Sequence, residues 1–256
     1  MGATLGVGLV TTACSSSSSS KPTAEEYDDT AQAISSTAAP SNAGTSSGGD
    51  VASMTDTVSL SLGVVPAGIS LMGNGHFHGT RLGVDYDYSL TCKTLAGVAG
   101  ACGPTTDSAT AAVMWSGNLS STAVDADVTR TGSWSVTGLQ GDTATFTGDS
   151  SFTFDATLRS IFRPGVTTTY TFDASASYDA VKIATAQRNV IGGSASFDIM
   201  AHHMVTGSGS NNVDASFDVN AKLTFNADQT ASLVLDGDQS YTLNLTTGAV
   251  ARVTTN

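Results

Sequence analysis

Basic side chains are scarce in this chain: 10 Lys and Arg stand against 22 Asp and Glu in 256 residues, a formal net charge of −12. Binding a polyanion requires cations gathered to neutralise phosphates. Here they are scattered singly at Lys21, Arg81, Lys93, Arg130, Arg159, Arg163, Lys182, Arg188, Lys222 and Arg252, which excludes nucleic acid as a partner class. Charge of either sign is thin, at 12% of residues. Gly, Ser, Thr and Ala take its place, a composition that suits an exported sheet protein better than a cytosolic enzyme. Chemistry-bearing motifs are also missing. There is no cofactor fingerprint, no nucleophile elbow set between a strand and a helix, and no EF-hand loop or calcium nonapeptide. The sequence therefore predicts a protein that is not an enzyme and carries no cofactor.

What is present at the start is a short apolar run, Ala3 to Val10, leading through Thr11, Thr12 and Ala13 to Cys14, followed by six serines. The run is far shorter than the ~20 residues of a membrane-spanning helix. It resembles the signal peptide and lipobox of bacterial lipoproteins, although Thr11 stands where that family usually has Leu and no Lys or Arg precedes the apolar run. The resemblance covers about residues 3 to 20 and implies removal of residues 1–13 and a diacylated Cys14 as the mature N-terminus. It places the protein in the bacterial cell envelope, lipid-anchored at the outer membrane or cell surface.

Three cysteines are an odd number for an exported chain. With Cys14 lipidated, Cys92 and Cys102 remain as a pair flanking a Gly- and Ala-rich loop, and a disulfide between them fits an oxidising compartment. Two buried free thiols are the alternative.

Behind Cys14, residues 14–50 read as a Ser/Gly-rich, low-complexity tether containing a short helix. Thr23 and Glu26 make a capping-box start, and Tyr27, Ala31 and Ile34 follow at helical spacing over Ala24 to Thr37. The helix has a thin apolar stripe, so it either docks weakly or stays in the tether. Val51, Met54 and Val58 suit a second helix, whereas Val58, Leu60 and Leu62 alternate as a strand does, leaving that segment open.

The region 51–256 is read as one all-β, antiparallel domain. Period-two alternation sets Val84, Tyr86, Tyr88, Leu90 and Cys92 on one face, and likewise Phe152, Phe154, Ala156 and Leu158. Tyr170 to Tyr178, Phe197 to Ala201 and Val213 to Phe225 repeat the pattern. Turn residues separate the runs at Gly141-Asp142, Pro164-Gly165, Gly192-Gly193, Gly207 to Asn212, Asn226 to Gln229, Asp236 to Gln239 and Thr247-Gly248. Short connections make a meander, which hides its apolar face by curling, closing into a barrel or folding over as a sandwich. Aromatics at 7% and alanine on the apolar face argue against a membrane barrel.

The histidines come as His76-Phe77-His78 and His202-His203. His76 and His78 share a strand face, and His202 falls on the polar phase of its own strand. The three would form a zinc or copper site if those strands were neighbours; otherwise they are solvated. Asp85, Asp87, Asp125 and Asp127 read as strand-face charges that keep the sheet soluble.

Three functional readings follow from these features. The first is a non-enzymatic envelope lipoprotein, structural or an interaction module, with the membrane as one partner and an unidentified protein as the other. The second is a β-barrel-like carrier of a lipid or other apolar molecule. The third is a metal-binding protein using His76, His78 and His202.

Overall fold

The computed structural model describes residues 21–39, 49–81, 83–120, 124–205 and 213–254. Cys14, the apolar run before it, the linker 40–48 and the expected turn at Gly207 to Asn212 lie outside the described residues. Two helices, α1 (Ala24–Ala38) and α2 (Gly49–Ser61), precede thirteen strands. These are β1 (Ile69–Gly73), β2 (His76–Arg81), β3 (Val84–Thr94), β4 (Ala99–Gly100), β5 (Thr106–Ser120), β6 (Val124–Thr137) and β7 (Thr143–Arg159). There follow β8 (Thr167–Ala184), β9 (Asn189–Val205), β10 (Val213–Phe225), β11 (Thr230–Leu235), β12 (Gln239–Asn244) and β13 (Val250–Arg252).

All strands belong to one antiparallel sheet in sequence order, with the two-residue β4 pairing β3 off the main path. This is the expected meander. The path ends at β1 and β13, which do not pair with each other, so the sheet is curled and open. Both edges are short, at 5 and 3 residues, which limits the backbone they offer to another chain. The strands between them reach 18 residues, roughly 60 Å at strand rise.

Alternation is borne out residue by residue: Tyr86, Tyr88, Leu90, Phe154, Leu158, Phe172, Phe197, Ile199 and Leu223 are all buried on one face. One expected turn is not a turn. Gly192 and Gly193 lie inside β9, and the chain reverses at Thr185 to Arg188 instead. Pairing shifts register between β8 and β9 here, and Gly193 sits at φ 96°; a Cβ there would come within 2.4 Å of Val181 Cα. The glycine pair serves a bulge and a close strand approach, not a hairpin.

Alpha1 has the expected capping box, with Thr23 and Glu26 bonding each other's backbone. The undecided segment is α2. Neither helix is peripheral: nearly every residue of both is buried beneath the sheet's apolar face. Alpha1, in the segment expected as tether, packs against α2 and strands β11 to β13. Thin apolar stripes suffice because the helices satisfy their own hydroxyls. Thr30, Ser36, Thr37, Thr57, Ser59 and Ser61 each donate to the carbonyl four residues back, which leaves compact surfaces that pack as apolar ones do. Among the described residues no helix is long and apolar enough to cross a membrane.

Met54 and Val58 are fully enclosed between α2 and the sheet. Met54→Ala is expected to cost about 2–5 kcal/mol, read as a lower urea midpoint with an unchanged slope.

Candidate functional site

The helices contribute acids and no bases. Glu25, Glu26, Asp28, Asp29, Asp50 and Asp56 are their charged residues. The inner face of the sheet supplies the complement in a repeated form, in which each buried helix aspartate takes one arginine and one tyrosine. Asp50 lies 2.7 Å from Arg130 Nη1 and accepts from Tyr178 OH at 2.6 Å. Asp56 lies 2.6 Å from Arg81 Nη1 and accepts from Tyr88 OH at 3.1 Å. Asp29 holds Arg163 at 2.7 Å and Tyr170 at 3.0 Å. Asp28 binds Arg252 and accepts from Tyr241 OH at 2.9 Å. A fifth contact sets His203 Nδ1 at 3.0 Å from Glu26. Arg188 donates to Ser59 on α2 at 2.7 Å.

At 3.6 residues per turn, Asp50 and Asp56 point about 120° apart around α2, and Asp28 and Asp29 about 100° apart around α1. Their partners therefore approach from different sides, as a sheet wrapped around the helices requires. Burial pushes the carboxyls of Asp29, Asp50 and Asp56 upward, while the guanidinium and phenol beside each pull the other way. Arg130 is 1% exposed and lies 5.3–5.8 Å from the ring centres of Phe152, Trp115 and Tyr178. It is a cation fixed among aromatic faces.

Sequence reasoning missed these clamps, although a signal exists. Arg130 shares the apolar phase of Ala126, Val128 and Trp134, a position a solvated arginine has no reason to occupy.

The expected sites fall as follows. Cys92 and Cys102 are together, with sulfurs at a bonding distance of 2.00 Å. Their loop seats on the end of α2, where Gly103 N–H donates to the Ser61 carbonyl at 3.1 Å. His76 and His78 lie on β2 and His202 on β9, with five strands of the sheet path between them, so the structure does not bring the three together. Among the described residues no group of three His, Cys, Asp or Glu is placed to hold one ion. His78 instead meets Asp87 at 3.0 Å and His202 meets Asp214 at 2.7 Å, both on the outer face.

The outer face carries grooves of similar size, among them one of about 580 Å³ over β9 to β11, and two of them are lined by exposed methionines. One, of about 520 Å³, runs over β6 to β10 between Thr131, Thr153, Asp173, Asp198, Met200 and Asp218. The other, of about 570 Å³, lies over β1 to β6 between Met72, His76, His78, Asp87 and Met114. Comparison of the chain with protein-family models, with curated proteins and with solved structures gives no match.

Arg130→Met is expected to cost about 3–5 kcal/mol, because it strands the buried Asp50 carboxylate; Asp50→Leu added to it is expected to restore most of that loss. Urea unfolding of the two variants is the measurement, and equal losses in both would refute the pairing. The six tyrosines give a second check. All are held above the ordinary value of 10.0, first by burial, and Tyr86 reaches about 12. A phenol raised in the folded state contributes stability in full below pH 10 and loses it as pH rises above that value. Phenolate absorbance is expected to stay flat through pH 10 and then rise for all six together as the fold is lost. Separate ionisation near pH 10 with the circular dichroism intact would contradict the clamps.

Proposed function

We propose that the protein is a non-enzymatic, lipid-anchored module of the bacterial cell envelope that works by presenting the outer face of a rigid curled sheet to a partner. The observation that carries this reading is the filled interior. The space beneath the sheet, where a carrier would hold an apolar molecule, is taken by α1 and α2, and their carboxylates are matched by the arginines and tyrosines of the sheet. What faces outward is a broad polar surface of Thr, Ser and Asp with shallow grooves.

Anchoring rests on Cys14 with the short apolar run and small residues before it. Two acyl chains on one cysteine hold a protein at a membrane where a single chain does so only marginally. The Cys92–Cys102 pair supports an oxidising location.

Intact mass spectrometry of the natively expressed, detergent-extracted chain is expected to show loss of residues 1–13 and a diacylglyceryl adduct on Cys14. Cys14→Ser is expected to move the protein from the membrane to the soluble fraction with its circular dichroism unchanged. A Cys14→Ser variant that still sediments with membranes would sink the anchored reading.

A further inference from the structure

The chain has six methionines. Met54 is buried in α2, while every methionine of the sheet faces water: Met72 is 70% exposed, Met200 64%, Met114 48% and Met204 46%. Hydrophobic packing does not account for this, since the sheet turns its Phe and most of its Ile, Leu and Val side chains inward. The outward histidines lie beside these same methionines. Met72, His76, His78 and Met114 line one groove of about 570 Å³. On β9, Met200, His202 and Met204 alternate on one face.

Cross-strand register explains the groove. Ser70, His78, Asp87, Met114 and Thr131 form one row across β1, β2, β3, β5 and β6. His76 lies two residues from His78 on the same face. Met72 sits where the β1–β2 register shifts, beside the Gly73 that pairs with His76. His78 and Met114 are two strand spacings apart, roughly 10 Å, a gap that the two side chains can span with an ion between them. Asp87 lies 3.0 Å from His78 Nδ1; in the tautomer that carries its proton on Nδ1 this contact fixes the ring and leaves the Nε2 lone pair to a ligand, the carboxylate support typical of ligating histidines.

We propose that this groove binds a soft monovalent cation, Cu(I) or Ag(I), through the thioethers of Met72 and Met114 and the imidazoles of His76 and His78. Thioether sulfur selects soft ions, and imidazole accepts them. Zinc and calcium are disfavoured because no three His, Cys, Asp or Glu converge among the described residues. The two outward methionines flanking His202 repeat the combination on β9, but only Met200 of these three lines the groove over β6 to β10, so they serve as an internal comparison.

The test uses the folded, oxidised chain with Cys14 lipidated or replaced by Ser, so that no free thiol competes, and with methionine methyl groups carbon-13 labelled. Ag(I) is added as nitrate in chloride-free buffer. The methyl signals of Met72 and Met114 are expected to move together with the first equivalent while Met54 stays fixed. His76→Ala with His78→Ala is expected to weaken binding at least tenfold, and Met72→Leu with Met114→Leu to abolish it. All four positions face solvent, so the variants should keep the wild-type circular dichroism. Unmoved Met72 and Met114 signals overturn the proposal, and so does a response confined to Met200 and Met204. Zn(II) binding the groove more tightly than Ag(I) overturns it as well, by showing an imidazole site in which sulfur plays no part.

Discussion

Four aspartates sealed inside the protein set the terms for everything around them. A carboxylate taken out of water loses far more hydration than packing returns unless a cation and hydrogen-bond donors replace it. Asp28, Asp29, Asp50 and Asp56 each receive an arginine and a phenol. The cost of this arrangement appears in the allocation of side chains. The guanidinium groups of Arg81, Arg130, Arg163, Arg188 and Arg252 bond to the helices, and each of the six tyrosines makes a hydrogen bond between a helix and the sheet or its turns. Few cations remain for the surface. The outer face is therefore mostly Asp, Ser and Thr, which keeps a long-stranded, open sheet soluble and discourages edge pairing.

The same contacts compensate for a sheet that does not close. Beta1 and β13 share no hydrogen bonds, yet Arg81 of β2 and Arg252 of β13 both end on helix carboxylates. The helices thus tie the second and last strands of the meander to one interior, a role that a seam of backbone bonds fills in a true barrel. Where β3 meets the end of α2, the Cys92–Cys102 loop adds a covalent brace beside the Ser61 carbonyl.

Much of this fold was legible because strand alternation is a one-dimensional signal. Tyr86, Tyr88, Phe152, Phe172 and Phe217 announce their face from the sequence, and burial agrees with them. Alpha1 was legible from its cap. Alpha2 was not, because Val58, Leu60 and Leu62 satisfy both periods and because a buried helix rich in Ser and Thr shows almost no amphipathic stripe. The Gly192-Gly193 pair misled because a bulge and a hairpin use glycine for the same backbone freedom. For the histidines, the sequence displays residue types and strand faces but not which strands are neighbours. That is why His202 looked like a partner of His76 and His78 and proves to be remote from both.

The clamps fix position more than they add stability. Buried ion pairs roughly offset their own desolvation, so apolar burial and the back-bonded hydroxyls supply the net attraction that holds α1 and α2 in place. What the pairs do add is a penalty for every misplacement. Sliding α2 by a single residue would carry Asp50 away from Arg130 and Tyr178 and, in the same step, Asp56 away from Arg81 and Tyr88, leaving four charged groups buried without partners. Because the two aspartates point to different sides of the helix, rotation cannot relieve one without losing the other. A polar helix in a curled sheet would otherwise have many nearly equal seats, and the repeated aspartate–arginine–tyrosine arrangement removes the degeneracy. With the interior committed to holding a single register, the outer face is free to vary without disturbing the fold, and that is where the exposed methionines and histidines are found.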